Sequence, residues 1–492
     1  MFFVNTRNAN DVVNFTQAVL ISMRGLRSGL YVPSYVPTLD SATLVRLSKL
    51  SYKDILFEVI KIFCNNEISD VDIQQLINKA FVNFGKNRNM EQTDFELKDA
   101  IFDISDFDKN KFIVNGTYGP SGCIDDFGYY LCAEFINYLS ERVNKVSTVI
   151  DVSLKKASCI STAMAVGGKK HLKAFILMDE HIDEISMETL SSNYSDNIVY
   201  ATIDKNEDTQ TDLQNLLYLN GSIQEQMNVS FIDGVNILNV LACIPFYIKI
   251  FHHNKMQSFV LSIPAHNATL AISAYIASLL GIKIAKIVLC CEKNYFFHNF
   301  QSSKTISFNQ TSFSKNITDF TCDYPVNFER LLYYLNHSDQ KSVFNKLEEL
   351  FMEQTAKISD AIVIEFGNLF FVELCDNEFL IKKEMHNFLK KSGRFCDQNF
   401  ALSIICIDNA TKCFADACSS CNKYILECMD FRRNIQFIED VVGFKIQNVK
   451  KMYNTNNGRQ IETIKIGEYN ERFIFQLIID NLNKKNDTQT QQ

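Results

Sequence analysis

The chain of 492 residues is short of glycine and proline and has no tryptophan. Its 17 glycines are about half the share usual for soluble proteins, and its 6 prolines are well under half of theirs. A shortage of glycine disfavours a protein that holds a phosphate group on bare backbone amides, because such loops need residues without a side chain. We attribute the many Asn, Lys, Ile and Phe residues to compositional drift rather than to function.

Positive charge is not in excess, since 49 Lys and Arg stand against 57 Asp and Glu, a formal net charge of −8. Nucleic-acid-binding proteins usually carry a basic surface, so we expect no nucleic-acid partner. The most apolar stretches, 235–251 and 268–291, contain polar and charged residues. We interpret them as buried helices and strands and expect no membrane contact. The N-terminus lacks a charged leader with a long apolar run, so we expect no secretory signal.

Cysteine is frequent, with 15 residues scattered along the chain. This pattern indicates reduced thiols in a reducing compartment, and we predict a cytoplasmic protein. One Cys-x-x-Cys pair at 418–421, between Cys413 and Cys428, raises the alternative of a zinc site. Because a second such pair or a His pair is missing, we favour buried thiols on one helix and expect no metal. His252 and His253 end an apolar helix, where imidazole suits the helix dipole better than a ligand role.

The first hundred residues have the periodicity of amphipathic helices. A helix begins near residue 11 or 14 and is followed by a turn and strand at 28–33. Ser69, with Asp72 three residues later, forms an N-cap arrangement. The pattern predicts further helices at 41–50, 51–64 and 69–83.

From about residue 101, short apolar runs alternate with amphipathic helices, which predicts βαβ units and mainly parallel sheets. We predict strands at 147–153, 173–178, 198–203, 257–263, 284–291, 361–366 and 401–407. We predict helices at 126–143, 155–167, 185–194, 208–219, 234–253, 268–280, 411–430 and 468–483. The predicted domains are a mostly helical region 1–100, a first α/β domain 101–225, a second α/β domain 226–482 and a disordered polar tail 483–492.

Residues 119–128 read GPSGCIDDFG and resemble the GPTxxxKDxx stretch of threonine synthases, which are pyridoxal-phosphate enzymes. In that family the lysine forms the Schiff base with the cofactor. Asp125 occupies the lysine position here. A carboxylate cannot form an imine, because that reaction needs a nucleophilic amine. The resemblance therefore implies that no catalytic residue remains at this position.

The resemblance runs from Thr6 to about Leu482. Segments that resemble scaffold motifs of the family appear in order at 5–7 (NTR), 29–33 (GLYVP), 327–332 (NFERLL) and 414–417 (FADA). The implied fold is α/β, a threonine-synthase-like pyridoxal-phosphate fold type II. It comprises two α/β domains with mainly parallel sheets around a cleft, plus a helical N-terminal region.

The family's chemical motifs are altered. Its phosphate loop TSGDTG reads VSLKKA at 152–157, where Ser153 is the remaining polar candidate. Its PSGNFGD cup reads PAHNATL at 264–270, where His266 and Asn267 are degenerate cofactor-binding positions. The segment 179–187 has become acidic and would repel a phosphorylated substrate. In the family's NSINxxR stretch, Asn239 replaces the arginine.

Several of these residues allow two interpretations. Asp125 and Asp126 could act as paired carboxylates, but neighbours entering a helix point apart, so we favour Asp126 as the cap of helix 126–143. Lys155 and Lys156 could contact an anion, yet a solvated surface is the more ordinary role. His266 and Asn267 could hold a ligand, and we favour a polar loop without one.

The resemblance and its altered motifs favour a catalytically inactive threonine-synthase-like protein with a binding or scaffold role. We expect that it does not bind pyridoxal phosphate and that its partner is another protein or a small polar ligand. One alternative is a highly diverged threonine synthase that converts phosphohomoserine to threonine with another lysine. The other is an enzyme that uses the cleft without the cofactor.

Overall fold

The structure of the protein is a computed structural model. It describes residues 1–22, 29–86, 101–152, 156–203, 227–291, 296–307, 325–414, 416–446 and 463–466, together with residues 476 and 480. The predicted helix 208–219 and tail 483–492 lie outside these residues, as does the predicted helix 468–483 except for residues 476 and 480. Within the described ranges, no helix is both long and apolar enough to cross a membrane.

The N-terminal region combines a small antiparallel sheet with four helices. The sheet contains β1 (Phe3–Asn5), β2 (Val12–Val13) and β3 (Tyr31–Pro33), with β1 in the middle. The helices are α1 (Phe15–Ile21), α2 (Ser41–Ser48), α3 (Tyr52–Cys64) and α4 (Asp70–Lys86). These bounds confirm the predicted helices to within a few residues.

Side-chain caps explain where these helices begin. Asn14, Asp40 and Ser51 each accept a hydrogen bond from the backbone N–H three residues later. The predicted Ser69 cap is confirmed, because Asp72 N donates to Ser69 Oγ at 3.1 Å. Polar residues at these positions therefore mark helix starts that sequence alone reveals.

The remaining chain alternates strands and helices. In chain order the strands are β4 (Asp103–Asp108), β5 (Lys111–Asn115), β6 (Ser147–Asp151), β7 (Leu172–Asp179), β8 (Ile198–Ile203), β9 (Val229–Ser230), β10 (Phe259–Pro264), β11 (Ile284–Cys291), β12 (Thr305–Ser307), β13 (Thr355–Lys357), β14 (Phe370–Leu374), β15 (Asn422–Glu427) and β16 (Thr463–Ile466). The helices are α5 (Asp126–Arg142), α6 (Lys156–Val166), α7 (Glu184–Ser192), α8 (Ile237–Ala242), α9 (Ile244–His253), α10 (Ala268–Leu279), α11 (Phe296–Ser303), α12 (Phe328–Leu335), α13 (Gln340–Glu353), α14 (Asp360–Leu369), α15 (Glu378–Ser392), α16 (Gln398–Cys413), α17 (Asp416–Ser419) and α18 (Ile435–Val442), the last preceded by a 3₁₀ turn at Phe431–Asn434.

Two mainly parallel sheets organise these elements. The smaller sheet has the order β16-β8-β7-β6-β9, and all its pairings are parallel. The larger sheet has the order β14-β11-β10-β15-β5-β4, and only the hairpin pairing of β4 with β5 is antiparallel. The predicted α/β class with mainly parallel sheets is confirmed.

Strand β7 shows how the smaller sheet is buried on both faces. Ile176 and Met178 point into the largest apolar core, whereas Phe175 and Leu177 point into a second cluster. A strand buried on both faces has no polar alternation and is a continuous apolar run. This is why β6, β7, β8, β10 and β11 could be predicted from the sequence.

Two predicted strands are wrong. Residues 361–366 lie in α14 and residues 401–407 lie in α16. Helix α16 packs against β10, β11, β14 and β15 on one side and α15 on the other, so most of its surface is apolar. Without a polar face, the 3.6-residue period disappears and a helix cannot be told from a buried strand.

Two predicted helices also need correction. The range 411–430 contains the end of α16, the short α17 and the buried strand β15. The range 234–253 contains two helices, α8 and α9, separated at Cys243. Pro245 stands in the first turn of α9, where its missing N–H costs nothing but would interrupt a continuous helix.

The sheets cross the predicted domain limits. Strands β4 and β5, in the range 101–225, belong to the larger sheet because β5 pairs with β15. Strand β9, in the range 226–482, pairs with β6 in the smaller sheet. Each sheet therefore contains a strand from the other predicted range. Pairing between strands some 300 residues apart, such as β5 and β15, cannot be seen in the local sequence.

Candidate functional site

The loop before α5, residues 116–125, is held in place by the carboxylate of Asp126. Asp126 accepts hydrogen bonds from Ser121 N at 2.9 Å and from Ser121 Oγ at 2.6 Å, and also from Ser161 Oγ on α6. Its complete burial raises its pKa. A Cβ atom on Gly119 would overlap this carboxylate, which is why glycine stands there. The prediction that Asp126 caps α5 is wrong, because its oxygens serve the preceding loop instead.

The segment after β15 holds the same loop from the other side. Arg433 donates to the carbonyl oxygens of Pro120 and Ser121. Asp430 N donates to Gly122 O at 2.8 Å, and Gly122 has a φ of +72°, a conformation that favours glycine. The GPSG motif is therefore explained by packing, independently of any reaction.

Asp125 occupies the N-cap position of α5, but its side chain does not cap that helix. Instead, its Oδ2 accepts a hydrogen bond from Asn267 Nδ2 at 2.9 Å. Asn267 in turn caps α10, because its Oδ1 accepts from Leu270 N at 3.1 Å. Two residues that the sequence singled out, 142 positions apart, are thus in direct contact. His266 lies next to them in the turn after β10 and is partly exposed.

Asp151 accepts hydrogen bonds from two hydroxyl groups at the place where the family's phosphate loop is expected. Its Oδ2 accepts from Ser158 Oγ at 2.7 Å and from Thr162 Oγ1 at 2.9 Å, both on α6. The hydroxyl of Tyr129, on α5, lies 3.2 Å from Ser158 Oγ. Ser153, the sequence candidate in this loop, lies outside the described residues, as does Lys155.

Two acidic residues of the segment 179–187 form ion pairs. Asp183 caps α7 and forms an ion pair with Lys156 Nζ at 2.9 Å. Glu180 forms an ion pair with Lys465 at 2.9 Å. Lys156 is only about a quarter exposed, so it is not a fully solvated surface residue.

Asn239, which replaces the family's arginine, is buried in α8. Its Nδ2 donates to Ile232 O at 3.0 Å, and its side chain packs against Gly128 of α5. Arg330 is a buried cation in this part of the protein, and it donates to backbone oxygens of Tyr31, Gly234 and Val235. Arg330 is completely buried, and burial lowers its pKa to about 10.

Glu329 precedes Arg330 and binds the N-terminal segment. It forms a buried ion pair with Arg7 at 2.6 Å and accepts a hydrogen bond from Thr6 Oγ1. Leu30 N donates to the same carboxylate at 3.2 Å. The NFERLL motif therefore ties the N-terminal strands to residues 233–235, which border the site.

Carboxylates dominate the electrostatics of the site. Burial, with a smaller contribution from the nearby Asp151, raises the pKa of Asp233 to about 6. Arg433 partly offsets the rise in the pKa of Asp126. Arg330 does the same for Asp233. Guanidinium groups stay protonated and do not form imines.

The alternative sites suggested by Cys and His residues can be placed. Cys413 is exposed at the end of α16, whereas Cys428 is buried behind the loop 116–125. The segment is not one helix, and among the described residues no three Cys, His, Asp or Glu side chains could hold a metal ion. His253 Nδ1 lies 2.9 Å from the hydroxyl of Tyr424, while the residue itself is exposed at the end of α9.

The sequence missed Arg433, Asp233 and the Asp151–Ser158 pair. Arg433 acts on a loop more than 300 residues earlier in the chain. Ser158 and Asp151 are seven residues apart, but the strand-to-helix turn that joins them gives no motif when its glycines are replaced. No signal in the sequence could have identified these residues.

The chain resembles known proteins over most of its length. Residues 2–81 match the family model for the threonine synthase N terminus. The chain is 23% identical over 403 residues to threonine synthase from Saccharomyces cerevisiae, covering 76% of each chain. It is 21% identical over 373 residues to threonine synthase-like 2 from Homo sapiens, covering 73% of each chain.

Solved structures share the architecture. Pyridoxal-phosphate-bound threonine synthase from Brucella melitensis superposes with a TM-score of 0.83 at 16% identity, covering 98% of this chain and 99% of that one. The yeast threonine synthase superposes with a TM-score of 0.82 at 18% identity and the same coverage. The chain therefore has the pyridoxal-phosphate fold type II. Its sequence is similar to those of threonine synthases and threonine synthase-like proteins.

Proposed function

We propose that this chain is a threonine synthase relative without Schiff-base chemistry, and that it acts by binding a protein or a small polar ligand. The observation that carries the proposal is the position of Asp125. Its carboxylate stands at the start of α5, where the family resemblance places the lysine, and it is engaged by Asn267. A carboxylate in that position has no amine to offer an aldehyde.

The described residues of the site do not fit pyridoxal phosphate. The charges of Asp125, Asp151 and Asp233 all act on the hydroxyl of Tyr129 and raise its pKa, so three carboxylates lie in this part of the site and would repel a phosphate dianion. At the start of α10, Asn267 already accepts the hydrogen bond of Leu270 N, one of the amides that a helix N-terminus can offer an anion. Lys156, which follows the altered phosphate loop, is paired with Asp183. This mismatch supports the proposal.

One observation favours a second function, an enzyme that uses the site without the cofactor. Ser158 Oγ donates to Asp151 Oδ2 at 2.7 Å and lies 3.2 Å from the Tyr129 hydroxyl. A carboxylate that accepts the proton of a hydroxyl is one part of an activated nucleophile. A Ser158→Ala variant that turns over a ligand as fast as the wild-type chain does would argue against this second function.

Incubation with pyridoxal phosphate, followed by borohydride and peptide mass spectrometry, tests the first proposal. The expected result is no stoichiometric, site-specific adduct on the wild-type chain. The matched variant Asp125→Lys returns an amine to the same position and is expected to gain an adduct on the peptide that contains residue 125. A stoichiometric adduct on one wild-type lysine, with absorbance in the near-visible region, would overturn the proposal.

Two further measurements separate the alternatives. Growth of a threonine auxotroph on this gene would show that the chain is a diverged threonine synthase. Thermal-shift screening against small polar metabolites and phosphorylated amino acids tests binding at the site, because a ligand that binds the folded state raises its stability. The predicted cytoplasmic location, which rests on the cysteine content, is tested by fractionation of the source cells.

A further inference from the structure

The N-termini of two long helices meet at the site. Helix α5 begins at Asp126 and packs on α6 and the smaller sheet, whereas α10 begins at Ala268 and packs on β11 of the larger sheet. The hydrogen bond from Asn267 Nδ2 to Asp125 Oδ2, 2.9 Å long, joins the two starts. This hydrogen bond therefore links a helix that packs on the smaller sheet to a helix that packs on the larger sheet.

Asn267 makes this link directional. Its carbonyl oxygen is committed to Leu270 N at 3.1 Å, so its amide group is left to face Asp125. The positive end of the α10 dipole also attracts the Asp125 carboxylate. Hydrogen bonds to a charged acceptor are about twice as strong as neutral ones.

Buried groups around Asp125 make its hydrogen bond costly to lose. The thiols of Cys243 and Cys428 and the hydroxyl of Tyr247 are buried, and the Asp125 charge contributes to the rise in the pKa of each. Asp125 itself is half-buried, so water screens its charge only in part. Removing the amide partner of such a carboxylate costs more than the same loss at the surface.

We propose that Asp125 and Asn267 form an intramolecular latch that closes the site with the chain's own carboxylate. The latch occupies the position that the family resemblance assigns to the cofactor-bound lysine. A ligand that enters between α5 and α10 must break this contact. The inference deepens the proposed function and rests on it, because an aldehyde cofactor at residue 125 would leave no room for the latch.

Two reciprocal variants separate the latch from the helix cap. Asn267→Asp keeps an acceptor for Leu270 N but replaces the amide donor by an oxygen, so it faces Asp125 with a second carboxylate. Asp125→Asn combined with Asn267→Asp restores the hydrogen bond with its direction reversed. Asp and Asn have nearly the same shape, so the single and the double variant should pack as the wild-type chain does.

The measurement is the rate of alkylation of individual cysteines by iodoacetamide under native conditions, followed by peptide mass spectrometry. Cys243 and Cys428 lie near Asp125, whereas Cys64 is buried in α3 and serves as the internal reference. In Asn267→Asp, we expect alkylation of Cys243 and Cys428 to rise about tenfold, equivalent to about 1.4 kcal/mol, relative to Cys64. In the double variant, we expect the rates to return to within about twofold of wild type, equivalent to about 0.4 kcal/mol.

The latch is overturned if Asn267→Asp leaves the two rates unchanged relative to Cys64, or if the double variant does not rescue them. A parallel rise at all three cysteines, without rescue, overturns it as well, because the substitution then acts on global stability. These outcomes are independent of the cofactor experiment. A pyridoxal-phosphate adduct on the wild-type chain would contradict the proposed function. Alkylation rates of Cys243 and Cys428 that do not respond to the two variants would contradict only the latch.

Discussion

Glu427 offers a sharp test of the electrostatics behind the site. It ends β15, and its side chain is 5% exposed. Arg394 Nη2 donates to its Oε2 at 2.8 Å, while Asp397 and Asp430 oppose its ionisation. Burial is the largest effect, and it raises the pKa of Glu427 from 4.5 to about 7.

A raised pKa in the folded state means that Glu427 holds a proton there between about pH 4.5 and pH 7, where the unfolded chain has released it. Its contribution to stability is therefore complete below pH 4.5 and is lost as the pH rises through about 7. The shift is about 2.5 units, and one unit corresponds to about 1.4 kcal/mol, so the loss is about 3 kcal/mol.

The variant Glu427→Gln isolates this effect, because glutamine keeps the shape and can accept the Arg394 hydrogen bond without titrating. We expect wild type and variant to have similar free energies of unfolding near pH 4 and the variant to be more stable by about 3 kcal/mol near pH 8. Urea unfolding monitored by circular dichroism at several pH values measures the difference. Glu378→Gln, at an exposed ion pair with Lys382, is the control, with a change of less than about 1 kcal/mol throughout.

A variant that is less stable than wild type at high pH would refute the reasoning. The attraction of Arg394 would then outweigh the cost of burying the charge. A difference that does not change with pH would refute it as well, because Glu427 would then titrate alike in the folded and unfolded chain.

Two other substitutions test the scaffold around the site. Arg7→Met leaves Glu329 buried without its cation, and thermal or urea unfolding should report a loss of about 3–5 kcal/mol; a loss below about 1 kcal/mol would mean that the pair contributes little. Gly119→Ala forces a Cβ onto the Asp126 carboxylate and should cost about 1–3 kcal/mol by the same measurement. The matched control Gly85→Ala, in α4 with open space around it, should stabilise by about 0.5–1 kcal/mol, and equal effects of the two alanines would contradict the steric argument.

Local patterns were enough where an element's own residues decide its structure. The caps at Asp40, Ser51 and Ser69 start helices through contacts three residues away. Fully buried strands such as β7 appear as apolar runs. An apolar run also led to the wrong prediction of a strand at residues 401–407. These residues lie in α16, which is buried on most sides and here has the composition of a strand.

The site was predictable only in part. The resemblance singled out Asp125 and Asn267, but their contact depends on how α5 and α10 converge. Asp126 looked like a helix cap from its position, yet its carboxylate turns back to Ser121 and Ser161. A buried carboxylate turns toward the donors that the folded chain places within hydrogen-bond distance, and sequence spacing does not show which donors these are.

Periodicity, helix caps and residue identity were enough to predict the α/β class, the order of most elements and a carboxylate instead of an amine at residue 125. The tertiary structure alone decided which strands share a sheet, that Arg433 and Asp430 fix the loop before α5, and that Asp125 meets Asn267. Those contacts join residues more than 100 positions apart. Their free energy comes from burial and from hydrogen bonds that exist only once the chain has folded.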